Sequence, residues 1–215
     1  MKEHPILFSC EMVKAILDGQ KTMTRRVVKP QPPTRVTDII SLCGEWLSAY
    51  PNRKAIKPFE YKTVCPYGVH GDRLWVRETW NVFTVGWDDY NGGWEIGYQY
   101  EEIPKKLPEH CNIVYAASHA DDGPFRPSIH MPRWASRITL EIASIRVERL
   151  QDISEEDAQE EGIITDPKLW DACYIDGFIR LWDSINAARG FSWERNPWVW
   201  VIEFKKLKPN KGIFT

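Results

Sequence analysis

Eleven of the 215 residues are tryptophan. An indole ring needs either a large core or a flat binding surface to cover it. A chain of this length can build one substantial core, or one domain carrying a large insertion. A thick core or an aromatic-lined cleft is therefore expected. The rest of the composition is that of a globular protein, with 43% hydrophobic and 27% charged residues. No apolar run approaches the length of a membrane span. The opening Met1-Lys2-Glu3-His4-Pro5 lacks the apolar stretch of a signal peptide. The expectation is a cytoplasmic protein with no membrane partner. The five cysteines are scattered and odd in number, and the only close Cys/His spacings are Cys65 with His70 and His110 with Cys111. Neither repeats as a paired ligand motif, so free thiols and no metal are expected. No glycine-rich phosphate loop is present, and no cofactor is expected.

Charge is informative through its distribution. The net value of −2 argues against a protein that coats nucleic acid by bulk attraction. Met1 to Arg35, however, holds seven basic against three acidic residues, a net of +4, and Arg149 to Gly162 holds one Arg against six acids, a net of −5. The two segments either meet across a site or form two solvated faces.

Along the chain, Pro5 to Ser9 reads as a short buried strand. Met12, Val13, Ile16 and Leu17 then follow helical spacing, with Ser9 or Glu11 at the start and Gly19 just past the end. Lys21 to Val28 reads as a strand after that turn. Lys29 to Lys62 carries Pro30, Pro32, Pro33, Pro51 and Pro58 and reads as an irregular excursion. Leu74 to Trp80 reads as a strand, and Asn91-Gly92-Gly93 between aromatic flanks reads as a hairpin turn. Ala120 to Pro132 reads as loop. Ala135 to Val147 alternates as a strand, Ser154 caps an acidic helix, a longer helix runs from about Pro167 to about Ala188, and Trp198 to Phe204 closes the chain as a strand. The order does not alternate strand and helix as a Rossmann sheet would. It predicts an α+β fold on a mixed, partly closed barrel. Trp75, Trp80, Trp134, Trp198 and Trp200 lie in strand-like runs and read as core, with base stacking as the alternative. His70, His119 and His130 have no partner spacing that points to acid–base work.

The first cluster of chemical interest is Gly19-Gln20-Lys21-Thr22-Met23-Thr24-Arg25-Arg26. A helix ends at a glycine and hands over to a run of cations and hydroxyls. Cations there are favoured by the helix dipole alone, and the same run also suits a polar pocket floor.

Gly19-x-Lys21-x-x-x-x-Arg26 resembles the signature of the ASCH-domain family, within the PUA-like superfold. Pro5 to Val28 and Ala135 to Leu207 carry the shared core, roughly half the chain. The stretches Gly71 to Trp80 and Arg126 to Arg137 look like the longer phage and prophage branch. The resemblance implies one domain over 1–215, a PUA-like partly closed β-barrel with flanking helices and a large insertion at about 30–134. It also implies a partner that is RNA or a modified nucleoside. Lys21, Thr24 and Glu161 resemble the active-site residues of small amidohydrolases of N(4)-acetylcytidine. In that likeness Thr24 is the nucleophile, Lys21 its general base and Glu161 the proton donor. Arg25, Arg26, Arg133, Trp134 and Glu78 are expected to bind substrate. A non-catalytic RNA-binding or modified-DNA-binding module and a ribonuclease are the alternatives.

The physical requirements of such a site are clear. A Thr hydroxyl is a poor nucleophile without an adjacent base, and a Lys serves as that base only when burial and like charges lower its pKa. In a strict strand Lys21 and Thr24 face opposite sides, so their convergence requires Gly19 to Thr22 to be still turning. The prolines Pro127 and Pro132 stiffen the Arg126 to Arg137 segment, whose arginines and Trp134 suit phosphate pairing and stacking. It is expected either as a wall of the cleft facing Lys21 and Arg26 or as a solvated lead-in to a strand.

Overall fold

The computed structural model describes residues 1–34, 36–42, 45–49, 62–88, 93–99, 101–118, 124–164 and 173–208. The largest of the three sheets among the described residues gathers strands from all along the chain. Its strands are β1 (Glu3–Leu7), β2 (Met23–Val27), β6 (Arg73–Arg77), β10 (Thr139–Arg149) and β11 (Trp198–Lys206), in the order β1-β6-β10-β11-β2. β1 pairs parallel with β6, and the other neighbours are antiparallel.

The alternation of β11 shows why helices cover both faces. Trp198, Trp200, Ile202 and Phe204 point into a core with Ile6, Leu74 and Leu140. Val199 and Val201 point the other way, into a second core with Met23, Phe178 and Trp182. Helix α1 (Cys10–Leu17) packs Val13 and Ile16 on the first face. Helices α2 (Glu155–Glu160) and α3 (Tyr174–Asn186) pack on the second. Ser9 caps α1, accepting from the Met12 amide, and Gly19 leaves the helix at φ +77. Both positions agree with the sequence reading.

The segment read as an irregular excursion contains a hairpin. β3 (Asp38–Leu42), β4 (Glu45–Ala49) and β5 (Lys62–Thr63) form a three-stranded sheet. Pro30, Pro32 and Pro33 precede β3 and do not interrupt it, and Pro51 and Pro58 fall outside the described residues. A third sheet, in the order β8-β7-β9, joins β7 (Trp80–Asp88), β8 (Gly93–Gln99) and β9 (Cys111–Tyr115). Asp88 pairs with Gly93, and the turn read at Asn91-Gly92 falls outside the described residues.

Three other boundaries differ from the sequence reading. The strand read from Leu74 to Trp80 is two strands of different sheets, broken at Glu78 and Thr79. β10 begins at Thr139, because Arg133–Ala135 forms a short 3-10 turn. The long helix starts at Tyr174 after an extended N-cap at Cys173, and 167–172, read as its beginning, fall outside the described residues.

The fold is α+β with three α-helices and three sheets among the described residues, and none of those sheets closes into a barrel. β1 and β2 are the free edges of the main sheet. One side-chain bond crosses between them, from Arg26 Nη2 on β2 to the Leu7 carbonyl at the end of β1 (2.6 Å). The tryptophans supply both expected roles. Trp80, Trp198 and Trp200 are buried, Trp75 and Trp134 half-buried, and Trp182 both packs in the second core and lines a cavity. No described helix is long and apolar enough to cross a membrane.

Candidate active site

The site starts at two helix ends. After α1, the amides of Gln20 and Lys21 both donate to the Ala15 carbonyl, so the chain is still turning at Lys21 and enters β2 only at Met23. At the end of α2, Glu161 is the C-cap and Gly162 leaves the helix at φ +83. The two ends are stitched together by the Thr22 amide donating to the Glu160 carbonyl (2.9 Å) and by an isolated antiparallel bridge between Lys21 and Glu161.

Gly162 is required by both conformation and space. A Cβ there would lie 3.0 Å from the Cβ atoms of both Ala15 and Lys21. Gly162→Ala is therefore expected to cost about 1–3 kcal/mol, from the left-handed backbone and the displaced Lys21. Chemical denaturation measures this; an unchanged midpoint would show that the loop relaxes freely.

Lys21 Nζ is fully buried and donates to Glu161 Oε2 (2.6 Å) and to the Glu161 carbonyl (2.7 Å). Burial holds the amine below its ordinary 10.5, against the raising effect of Glu161, and the charges of Arg26 and Arg25 push the same way as burial. The other carboxylate oxygen, Glu161 Oε1, is buried without a hydrogen-bond partner, with Arg25 Nη1 3.6 Å away.

Arg25 holds the pair in place. Its side chain is fully buried, and Nη2 donates to Glu148 Oε1 (2.6 Å) and Asp157 Oδ2 (2.5 Å). Arg146 clamps the same two carboxylates and also reaches Glu203. Ser154 caps α2 as the sequence indicated, accepting from the Asp157 amide. The Asp157 side chain turns to Arg25 and Arg146, so the basic and acidic segments meet here as ion pairs.

A cavity of about 270 Å³ opens beside this network. Thr24, Arg25, Arg26 and Glu161 line it, and the fully buried Lys21 stands behind Glu161. Among the described residues no hydrogen bond joins Lys21 to Thr24; Lys21 is committed to Glu161. Arg26 also lies over the Phe8 ring, 5.1 Å from its centre. No family model, curated protein or solved structure matches this chain. Among the described residues, no group of three His, Cys, Asp or Glu side chains is placed to hold a metal ion.

Three residues expected at the substrate lie outside the cavity lining. Glu78 is buried in a two-pronged pair with Arg137, at 2.9 Å on each prong. Arg133 is taken by Glu3 on β1, at 2.8 and 3.1 Å. Trp134 packs edge-on against Trp80. The Arg126 to Arg137 segment is thus tied to β1, β6 and β7 and forms no wall of this cavity. Conversely, Tyr67, Phe178 and Trp182 line it and were not singled out from sequence. The i, i+4 spacing of Phe178 and Trp182 was the available signal for a shared helix face.

Proposed function

We propose that this protein is a PUA-like, ASCH-type amidohydrolase of an acylated nucleoside, N(4)-acetylcytidine being the reference substrate. One observation carries the reading. A buried Lys–Glu pair, with one carboxylate oxygen unpartnered, stands at a cavity that Glu161 and Thr24 both line. Burial lowers the pKa of the Lys21 amine, towards the uncharged form that a general base must have. A base and an acid then sit one hydrogen bond apart.

In the chemistry this supports, Thr24 Oγ1 attacks the acyl carbon and its proton passes to Lys21. The C–N bond breaks as Glu161 delivers its proton to the departing amine, leaving an acyl-Thr24 ester. A water then attacks the ester while Glu161 takes one of its protons, Lys21 returns a proton to Thr24, and the carboxylic acid leaves. Atoms and protons balance, and both side chains return to their starting state. The Lys21–Thr24 contact must form on substrate binding, since Lys21 faces Glu161 beforehand. Such tightening in the substrate complex is common in acid–base sites.

Chromatography of a reaction with N(4)-acetylcytidine should show free cytidine, and Thr24→Ala should lower turnover by at least about 10²-fold while leaving the fold intact. Turnover that persists in Thr24→Ala would exclude the acyl-enzyme route. The uncommitted Thr24 favours a second reading, a module that binds the nucleoside without chemistry. Saturable binding with no hydrolysis of any acylated nucleoside would select it.

A further inference from the structure

Three cations line the cavity without a carboxylate partner among the described residues: Arg26, Lys29 and Arg189. Arg26 spends one guanidinium bond on the Leu7 carbonyl, and its Nε is buried without a partner. Lys29 lies just beyond β2, exposed, with Nζ 5.3 Å from the centre of the Phe191 ring, another lining residue. Arg189, also exposed, ends the short turn Ala187–Arg189 after α3, closed by Gly190 at φ +83. By contrast, Arg25 is saturated by Glu148 and Asp157, and Glu161, the one carboxylate among the lining residues, is held by Lys21. Among the described lining residues, Arg26, Lys29 and Arg189 are thus left as uncompensated cations once Arg25 and Glu161 are paired. The chain as a whole is slightly acidic, so this excess is local. Cations gathered without counter-charges repel one another, and an anion resting among them relieves that repulsion.

We propose that the substrate carries a phosphate on its ribose, so that the cavity takes a nucleoside monophosphate. The base lies inward against Thr24 and Glu161, and the phosphate sits outward at Lys29 and Arg189. This rests on the nucleoside reading above. At about 270 Å³ the cavity falls just below the roughly 300–1,000 Å³ of ligand sites, which favours a single nucleotide over anything larger. A bound strand would need a groove that tracks its backbone. Tyr67 and Phe191 offer aromatic surface on the same lining.

Titration calorimetry in the Thr24→Ala protein, where turnover is blocked, provides the test. The probes are N(4)-acetylcytidine, its 5′-monophosphate, inorganic phosphate, and a short single-stranded RNA carrying the modified base internally. The monophosphate should bind about tenfold or more tighter than the nucleoside, as charge-assisted bonds imply, and high salt should narrow the gap. Inorganic phosphate should compete with the nucleotide. Lys29→Gln and Arg189→Gln should each lower the nucleotide-to-nucleoside affinity ratio by about threefold or more. Equal affinity for nucleoside and nucleotide would overturn the phosphate subsite and leave the proposed function standing. Tighter binding of the RNA than of the mononucleotide would overturn the choice of substrate class. Binding of inorganic phosphate with no binding of nucleoside or nucleotide would sink the nucleoside reading and this inference with it.

Discussion

Lys21→Met should abolish the proposed hydrolysis and cost about 3–5 kcal/mol of stability, because it leaves the Glu161 carboxylate buried beside an apolar side chain. Urea denaturation and the chromatographic assay read the two effects separately. Lys21→Met combined with Glu161→Leu should recover much of the stability and none of the activity, since removing both partners leaves no orphaned charge. If the double variant stays as unstable as the single one, the pair is not the source of the loss. The wild-type protein should also show a characteristic pH dependence. In the folded chain the Lys21 amine sits below its ordinary 10.5. Between the folded value and 10.5 the unfolded chain holds more protons at this position, so stability from this residue rises with pH across that interval. The advantage of wild type over Lys21→Met should therefore grow as pH is raised towards 10.5. A flat difference would mean that Lys21 keeps its proton when buried.

Arg25→Met is the second large effect. It removes the cation that touches both Glu148 and Asp157 and stands 3.6 Å from Glu161. Arg146 still holds Glu148 and Asp157 from the half-exposed side, but Glu161 keeps only Lys21. A loss of about 3–5 kcal/mol is expected, as for other broken buried pairs. Arg25→Lys should recover only part of it, because an ammonium cannot reproduce the planar fork that spans two carboxylates. The midpoint of chemical unfolding decides the matter; full rescue by Lys would reduce Arg25 to a point charge.

Much of the frame was legible from residues alone. The capped helix between Ser9 and Gly19, the alternating β10, Ser154 before its acidic turn and the closing β11 all follow from local chemistry. The meeting of the basic and acidic segments was one of two outcomes that their charges left open, two solvated faces being the other. Pairing between distant strands was not legible. Nothing local says that β1 lies parallel to β6, or that Glu3 thereby comes to occupy Arg133. The same gap hid Glu78, whose run of strand-like neighbours gave no sign of the break that buries it against Arg137. Tyr67 escaped because it stands in a loop, where periodicity carries no information.

The bond from Lys21 to Glu161 closes a loop of 140 residues, and β2 finds its strand partner in β11. Contacts of such separation form slowly and late, because the chain between them must first be ordered. Until β10 and α2 are in place, Lys21 and Arg25 lack Glu148, Asp157 and Glu161, and until β11 is in place the edge of β2 is unpaired. A chain lacking β11 would therefore keep β2 as an open edge, a feature that invites wrong pairing and capture by chaperones. The residues proposed for chemistry would then double as a mark of correct long-range pairing, since Thr24 and Arg25 sit on the strand that β11 holds in the sheet.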